Sequence, residues 1–373
     1  MIQLQRLAVT CGGTGGHFNP GLSVAQALQR VGGEAVLLLG GKHAEKQMKI
    51  AESCGIKAYK ICAVPLGKNP VVLLKFIWNT ILGFFQAVHI LRTFRPQALL
   101  SMGSYTSIPP FLAAAVRFLP FFLHDGNARL GKSNLFMSRW ARAFAFSFPS
   151  VNADRVKCKA VLTGFPLREA LLQSKLTKAE AIAIINQRFQ TTFSPDKPTL
   201  LVFGGSLGAE NINRNIALDR NDPNSGELQI IHLPGPGKKA EADACYVGLP
   251  NKTLVMESYE DIGVLYAAAD FVISRAGGST VSELALFGKY ALLVPYPHAA
   301  ELHQNDNAAW LASARGAEIV LDSDCTKEFI SQTLSRWMKN RDDIVAAGLK
   351  NKTLAHPDAA ECVLKMIEDN LSE

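Results

Sequence analysis

Disulfide pairs, thiolate metal motifs and long charge-free apolar runs are all missing from this sequence. The seven cysteines are scattered and odd in number, and no C-x-x-C pair occurs, so we expect reduced thiols in a cytosolic protein. No run of about eighteen apolar residues lacks a charge, so no transmembrane helix is required. The segment from Met1 to Arg6 leads directly into a strand-like run, which leaves no room for a signal peptide.

Charged residues are sparse, at 19% of the 373 residues against 48% hydrophobic residues. This composition predicts a globular chain that is long enough for two domains, each with its own core. The net charge of +7 favours an anionic partner, either a nucleic acid or the surface of an acidic membrane. Because the basic residues are dispersed and do not alternate with aromatic ones, we predict no nucleic-acid partner.

The dinucleotide fingerprint G-x-G-x-x-G is absent, although a related glycine loop is present. An apolar strand runs into Cys11–His17, which reads CGGTGGH, and Asn19 and Pro20 are then expected to cap and open a helix. Phe18 stands where the third glycine would fall, and the next strand ends in glycines and not in an acid. The pattern therefore predicts half of a Rossmann-like unit without a nicotinamide site.

The same design recurs in the second half of the chain. A strand from Thr199 to Phe203 opens the loop Gly204–Ala209, which reads GGSLGA and precedes a helix. A further apolar strand, Phe271–Ile273, runs into the pair Gly277-Gly278 and then into helical spacing. Because N–H groups at a helix N-terminus lack intrahelical partners, a strand, glycine turn and helix start together predict an anion site.

Candidate ligand-binding side chains follow these loops. His17 is a titratable group beside a backbone anion site and is the candidate general base, with a structural role as the alternative. Glu283, about one turn into its helix, could accept two hydrogen bonds from a vicinal diol such as a ribose, or it only suits the helix dipole. Farther on, the amides and imidazole of His303, Gln304 and Asn307 suit a hydroxyl-rich ligand or, alternatively, a solvated first helical turn.

A long helix with a wide apolar arc is predicted from Pro70 to Phe94, and basic residues lie near it. We interpret it as an interfacial surface that docks on a membrane. The alternative is a helix buried on both sides within the protein. The predicted docking residues are Lys68, Lys75, Phe76, Ile81, Phe84 and Phe85.

Two short patterns imitate other sites. Gly126–Ser133 satisfies the P-loop pattern G-x-x-x-x-G-K-[ST], yet P-loops normally lie early in a domain, and other glycine loops here already offer phosphate sites. Asp322–Asp324 resembles a D-x-D metal motif, yet it lies between a strand and a helix, where acids are ordinary caps. We therefore predict no nucleoside-triphosphate site, no metal and no cofactor.

Taken together, the motifs resemble those of the MurG family, whose members add N-acetylglucosamine to a lipid-linked muramyl-pentapeptide in peptidoglycan precursor synthesis. The resemblance covers nearly the whole chain, including the first glycine loop, H-D-G-N at His124–Asn127, G-F-P-L-R at Gly164–Arg168 and the stretch 274–308. Three positions depart from the family pattern: Ser104 replaces a glycine, Asp125 a glutamate and Leu207 a glutamine.

The resemblance implies an α/β chain with two Rossmann-like domains facing across a cleft, the GT-B glycosyltransferase architecture. Residues 1–165 would form the acceptor- and membrane-facing domain, with a C-terminal helix at about 357–373 packing back on it, and residues 166–356 would bind UDP-N-acetylglucosamine. The activity implied is inverting, metal-independent transfer to undecaprenyl-diphosphate-linked muramyl-pentapeptide, with His17 as base, at the cytoplasmic face of the inner membrane. The alternative is another UDP-sugar enzyme on this fold, either an epimerase or a different glycosyltransferase.

The donor-binding residues implied by the resemblance come from both halves. They are Thr14, Gly15, Gly16, Asn127, Arg168, Ser206, Tyr259, Gly278, Ser279, Thr280, Val281, Ser282, Glu283, His303, Gln304 and Asn307. In relatives the arginine of G-x-P-x-R reaches the diphosphate, and the residue matching Tyr259 reads uracil through its backbone.

Overall fold

The structure is a computed structural model that describes residues 3–67, 69–205, 208–218, 225–299 and 302–371. The chain divides into two compact units, the first comprising residues 1–168 and 356–373 and the second residues 169–355. Two of the predicted site residues, Lys68 and Ser206, lie outside the described residues, as does Leu207.

The first unit is built on a parallel sheet. Its strands are β1 (Arg6–Thr10), β2 (Glu34–Leu39), β3 (Lys57–Lys60), β4 (Ala98–Ser101), β5 (Phe121–Asp125), β6 (Ala143–Phe146) and β7 (Lys159–Leu162). Its helices before the second unit are α1 (Gly15–Arg30), α2 (Ala44–Ser53), α3 (Pro70–Phe94), α4 (Ile108–Val116) and α5 (Lys132–Met137). The strand order is β3-β2-β1-β4-β5-β6-β7.

The second unit is also built on a parallel sheet. Its strands are β8 (Thr199–Phe203), β9 (Gln229–Leu233), β10 (Thr253–Val255), β11 (Phe271–Ser274), β12 (Tyr290–Leu293) and β13 (Ala317–Ile319). Its helices are α6 (Glu169–Gln173), α7 (Lys178–Phe189), α8 (Glu210–Asn215), α9 (Lys239–Ala244), α10 (Ile262–Ala268), α11 (Gly278–Phe287), α12 (His303–Ala312), α13 (Lys327–Lys339) and α14 (Arg341–Leu349). The strand order is β10-β9-β8-β11-β12-β13.

Alternate residues along the strands of the first unit enter two separate cores. Leu7, Val9 and Leu37 belong to one cluster of buried side chains, whereas Ala8 and Val36 belong to another. Because successive Cβ atoms of a strand point to opposite faces, this sheet is covered on both faces. The last helix, α15 (Ala359–Asp369), contributes to the first core beside α1, and α3 and α4 contribute to the second.

Each sheet contains the doubly wound strand order of the Rossmann fold, in which the chain leaves two central strands in opposite directions. Those strands are β1 and β4 in the first unit and β8 and β11 in the second. The prediction of an α/β chain with two Rossmann-like domains is confirmed. Ligands of such sheets bind outside the carboxyl ends of these central strands, and in this chain a glycine-containing loop follows each of the four.

The predicted start of the first helix is wrong. α1 begins at Gly15, and the N–H groups of His17 and Phe18 donate to the Thr14 carbonyl at 3.2 and 3.0 Å. Pro20 therefore lies inside the helix and not at its start. The helix tolerates the proline because the turn before it is already closed, so only the bond to the Gly16 carbonyl is lost.

Helix α3 begins and ends where it was predicted to, and Asn69 caps it by accepting a hydrogen bond from the Val71 N–H at 2.9 Å. Among the described residues it is the one helix long and apolar enough to cross a membrane, by length and composition only. Its most apolar eighteen-residue window has a mean hydropathy of 1.7 and is only 11% buried. The alternative of a helix buried on both sides is therefore not what the structure has.

Candidate active site

His17, in the first turn of α1, is held by the loop that follows β4. Its Nδ1 lies 2.8 Å from the carbonyl oxygen of Met102. Because a carbonyl oxygen can only accept a hydrogen bond, Nδ1 carries the proton and donates it. The neutral ring then has its lone pair on Nε2, which is the nitrogen able to act as a base. The side chain is half-buried, so the ring is oriented without being sealed in the core.

The glycine loops of the first unit pack closely on their neighbours. A Cβ added at Gly12 would lie 2.3 Å from the backbone nitrogen of Gly40, so no larger residue fits there. The Thr106 hydroxyl donates to the Gly12 carbonyl at 3.3 Å and joins the loop after β1 to the loop after β4. The predicted donor-binding residues of the first loop are exposed at this junction: Thr14, Gly15 and Gly16.

Ser104 departs from the family pattern in residue type but keeps a glycine backbone conformation. Its φ is 74° and its ψ is 163°, a combination that side chains disfavour and glycine adopts readily. The loop after β4 therefore retains the conformation that suits the family's glycine, with the serine bearing backbone strain.

The Asp125 carboxylate accepts hydrogen bonds from the segment that follows β5. Its Oδ1 accepts from the Asn127 N–H at 3.1 Å, and its Oδ2 accepts from the Gly131 N–H and from Asn134 Nδ2, both at 2.9 Å. Burial raises the pKa of Asp125, and these hydrogen bonds oppose that rise. The carboxylate thus occupies two N–H donors of GNARLGKS that a P-loop would offer to phosphate.

His124 is a neutral, buried residue of β5. Its Nε2 lies 3.1 Å from the Ser147 hydroxyl, and its ring packs edge-on against Phe165 at 6.3 Å. Complete burial lowers the pKa of His124 to about 3, because the charged ring would lose its hydration. Its charge therefore does not change near neutral pH. Asn127, the predicted sugar contact, is half-buried, and its side-chain amide lies 3.4 Å from Asp125 Oδ1.

In the second unit, α11 begins at Gly278, the second residue of the glycine pair, with Gly277 as its cap. The N–H groups of its first turn, from Gly278, Ser279 and Thr280, lack intrahelical acceptors and are the groups predicted to bind an anion. Val281 is fully buried, and its N–H donates to the Gly277 carbonyl at 3.0 Å. The Ser282 hydroxyl donates to the Gly278 carbonyl at 2.9 Å, so this side chain braces the turn.

Two side-chain amides of α12 hold the backbone just before α11. Gln304 Oε1 accepts from the N–H groups of Ala276 at 3.2 Å and Tyr296 at 3.0 Å. Asn307 is fully buried, and its Nδ2 donates to the Ala276 carbonyl at 3.1 Å. A contact between Gln304 and a ligand would therefore come from its NH₂ group. His303, at the start of α12, is half-buried.

Glu283 lies about one turn into α11, which starts at Gly278. It is half-buried, and the Tyr266 hydroxyl donates to its Oε2 at 2.9 Å. Tyr259, the predicted uracil contact, is half-buried beside α7. The guanidinium of Arg188 lies 5.0 Å from the centre of its ring, and the Phe189 ring lies 5.6 Å from it. Arg168 is half-buried at the last residue before the second unit begins.

Sequence reasoning missed Arg275, which follows β11 and is buried. Its guanidinium donates to the carbonyls of Val294 and Pro295 at 3.1 and 3.3 Å and forms an ion pair with Asp322. The first acid of the D-x-D-like triplet is thus paired with an arginine. Its position immediately after a central strand was the one sequence signal that pointed to Arg275.

An exposed apolar stripe runs along α3 in the first unit. It consists of Leu74, Trp78, Ile81 and Phe85, which are 68%, 63%, 45% and 64% exposed. The spacing places these side chains on one helix face. Of the other predicted docking residues, Lys75 is exposed, whereas Phe76 and Phe84 are half-buried. The opposite face packs closely, since a Cβ at Gly83 would lie 2.1 Å from the Cys62 carbonyl oxygen.

Family models match both halves of the chain: the glycosyltransferase family 28 N-terminal domain over residues 7–146 and the family 28 C-terminal domain over residues 199–363. The chain is 31% identical to the UDP-N-acetylglucosamine–N-acetylmuramyl-(pentapeptide) pyrophosphoryl-undecaprenol N-acetylglucosamine transferase of Desulforamulus reducens, over 97% of this chain and 98% of that protein. It is similar to the crystal structure of Acinetobacter baumannii MurG at a TM-score of 0.74 and 28% identity, covering 98% of this chain and 99% of that one.

More distant structures share the fold alone. One is the UDP-GlcNAc 2-epimerase of Neisseria meningitidis, with a TM-score of 0.69 and 14% identity, over 98% of this chain and 100% of that chain. At that identity the likeness extends to the arrangement of two Rossmann-like domains and not to the chemistry.

Proposed function

This chain belongs to the MurG family, and we propose that it transfers N-acetylglucosamine from UDP-N-acetylglucosamine to the muramyl sugar of an undecaprenyl-diphosphate-linked muramyl-pentapeptide. The reaction converts lipid I into lipid II in peptidoglycan synthesis. The observation that carries this proposal is the arrangement of the segments that follow strands β11 and β12 of the second unit. There a glycine turn opens α11, α12 holds the Ala276 backbone, and Glu283 lies one turn farther along α11.

The second unit is proposed to bind the donor. Main-chain N–H groups at the start of α11 would hold diphosphate oxygens, with Arg168 adding a guanidinium that can grip two of them. The Glu283 carboxylate would accept hydrogen bonds from the ribose hydroxyls, and the backbone at Tyr259 would read the uracil. The NH₂ group of Gln304, whose oxygen is already used by the loop, would donate to the transferred sugar.

The chemical step is proposed to be a direct displacement with inversion. The acceptor hydroxyl forms a bond to the anomeric carbon while the bond from that carbon to the diphosphate oxygen breaks, and UDP leaves with the electron pair. His17 Nε2 takes the hydroxyl proton, because the hydrogen bond to the Met102 carbonyl fixes the tautomer with its proton on Nδ1. Negative charge developing on UDP would be stabilised by helix N-terminal amides and Arg168.

A metal-independent reaction is supported by how the acids are used. Asp322, the first acid of the D-x-D-like triplet, forms an ion pair with Arg275. The charge on the leaving group then falls to main-chain amides and a guanidinium.

Docking on the membrane is proposed for the first unit. The α3 stripe exposes apolar side chains, and Lys75, Arg92 and Arg117 are exposed near it or on the adjoining helix end. An amphipathic surface of this kind inserts shallowly between lipid headgroups while its cations meet anionic lipids. Such a location on the cytoplasmic face would bring the enzyme to its lipid-linked acceptor. The alternative, a UDP-sugar epimerase, needs no such surface.

The function is tested by measuring UDP release from UDP-N-acetylglucosamine with and without a lipid-diphosphate-muramyl acceptor, in the presence of EDTA. We expect release that depends on the acceptor and is unchanged by EDTA. The variant His17→Ala should keep its affinity for UDP-N-acetylglucosamine and lose about 10²- to 10⁴-fold in turnover, the usual contribution of a general base. His43→Ala, at an exposed histidine of the same unit, is the matched control. Acceptor-independent release would reject the transferase, and unchanged turnover in His17→Ala would reject the base.

A further inference from the structure

Tyr266 on α10 contacts α11 at two points. Its hydroxyl donates to Glu283 Oε2 at 2.9 Å, and its ring stacks on Phe287 with centroids 5.1 Å apart and planes at 23°. Glu283 and Phe287 are four residues apart on α11, so they lie on the same side of that helix. Tyr266 therefore contacts both the Glu283 carboxylate and the next turn of α11.

The tyrosine itself has little freedom to move. It is fully buried, and the Phe203 ring, at the end of β8, packs against it edge-on at 6.0 Å and 80°. A ring fixed on its face and its edge delivers its hydroxyl to one point in space. A hydrogen bond to an ionised carboxylate is also stronger than one between neutral groups. The orientation of Glu283 is thus set by α10 and β8 as well as by its own helix.

We propose that Tyr266 is a positioning residue for the nucleotide-sugar donor, which holds the Glu283 carboxylate in the orientation that accepts hydrogen bonds from the ribose hydroxyls. The proposal rests on the proposed function, because it needs the Glu283–ribose contact. It goes further by making recognition of the ribose depend on a residue that does not touch the ligand.

One short segment of the chain joins two parts of the proposed donor site. Tyr259, whose backbone is the proposed uracil contact, lies shortly before the start of α10 at Ile262, and Tyr266 lies within α10. The short segment that carries both tyrosines keeps base recognition and ribose recognition in a fixed spatial relation. Without the tyrosine hydroxyl, the carboxylate would have to be ordered at the moment of binding, which weakens affinity.

The test compares the binding of UDP, 2′-deoxy-UDP and 3′-deoxy-UDP by calorimetry in wild type, Tyr266→Phe and Glu283→Gln. We expect Tyr266→Phe to weaken UDP binding about tenfold, the loss for one hydrogen bond to a charged group, and to weaken the deoxy ligands less. In kinetics, the KM for UDP-N-acetylglucosamine should rise with kcat nearly unchanged. Tyr290→Phe is the matched control, because it removes a tyrosine hydroxyl that donates to Glu318, on the edge strand β13, at 2.9 Å.

The outcomes distinguish the Glu283–ribose contact from the positioning role of Tyr266. If Glu283→Gln discriminates between UDP and its deoxy forms as well as wild type does, the ribose contact is wrong and this inference falls with it. If Glu283→Gln loses discrimination but Tyr266→Phe weakens all three ligands equally, the ribose contact stands and the positioning role is overturned. Should Tyr266→Phe not fold, Glu283→Asp serves instead. Its shorter side chain cannot reach both the tyrosine and a ribose, so undiminished discrimination in that variant would also overturn the proposal.

Discussion

The α3 stripe makes membrane docking a quantitative prediction. Trp78 and Phe85 lie seven residues apart on one helix face and are 63% and 64% exposed. Replacing both by serine removes the two largest exposed rings of the stripe and leaves its buried contacts through Gly83 and Ala87 intact. Phe84 is a poorer probe, because it is half-buried against the core of the first unit.

The expected loss follows from the exposed area. A fully buried aromatic side chain removes about 150–250 Å² from water, so at nearly two-thirds exposure each ring still offers roughly 100–150 Å² to a bilayer. At about 25 cal/mol per Å², complete insertion of one ring stabilises the bound state by about 3 kcal/mol. Shallow insertion uses part of that area, so we expect about 2–3 kcal/mol for the pair, or about 30- to 150-fold in partitioning.

The assay is sedimentation with vesicles that contain anionic phospholipid, at two salt concentrations. Val247→Ser, at a site 73% exposed in the second unit, is the control for removal of an exposed apolar side chain. Its partitioning should equal that of wild type. UDP affinity should be the same in all three proteins. If the Trp78/Phe85 double variant sediments as fully as wild type while its UDP affinity is intact, the stripe does not dock on membranes.

Three further predictions concern stability. Ser104→Gly should raise the free energy of unfolding by about 1–2 kcal/mol in denaturant titrations, because φ at this position is 74°. Asp322→Ala should lower it by about 3 kcal/mol, since Arg275 would remain buried without its counter-charge, and an unchanged midpoint would refute this. Burial lowers the pKa of His124 to about 3 and of His232 to about 4. The contribution of each neutral histidine to the free energy of unfolding is therefore present above about pH 6.5. Each contribution falls by about 1.4 kcal/mol by about pH 5.5, so urea midpoints should drop over that interval.

The sheets were predictable from the sequence because strands buried on both faces read as continuous apolar runs. The predicted strand at Thr199–Phe203 has the bounds that the structure shows. β3 was not foreseen, because Lys57–Lys60 is a largely exposed strand at the sheet edge and has no apolar run to reveal it. Pro20 misled the placement of α1, because two glycines allow a helical turn to close before it.

The position of candidate site residues along the chain was predictable, but the use of their side chains was not. Gln304 was identified as a polar residue after β12, yet its oxygen accepts two backbone N–H groups, one from a residue 28 positions earlier. The Arg275–Asp322 pair joins residues 47 positions apart. Contacts between residues this far apart depend on how the strands are ordered in the sheet, which no local pattern encodes.

Polar side chains near the carboxyl ends of the central strands in both units therefore hold the backbone in place, in addition to any contact with a ligand. Asp125 organises the loop after β5, Gln304 and Asn307 fix Ala276, and Arg275 ties the ends of β11 and β12 together. Buried polar groups with satisfied hydrogen bonds hold a loop in one conformation, and their removal leaves orphaned backbone groups. We expect a departure from the family pattern at such a position to act first through loop geometry. Asp125 is shorter than the family's glutamate by one methylene, yet its carboxylate still satisfies the Asn127 and Gly131 amides. For this reason the resemblance to the family lies in the backbone conformation of the glycine loops and in the side chains that support it, even where the residue type differs.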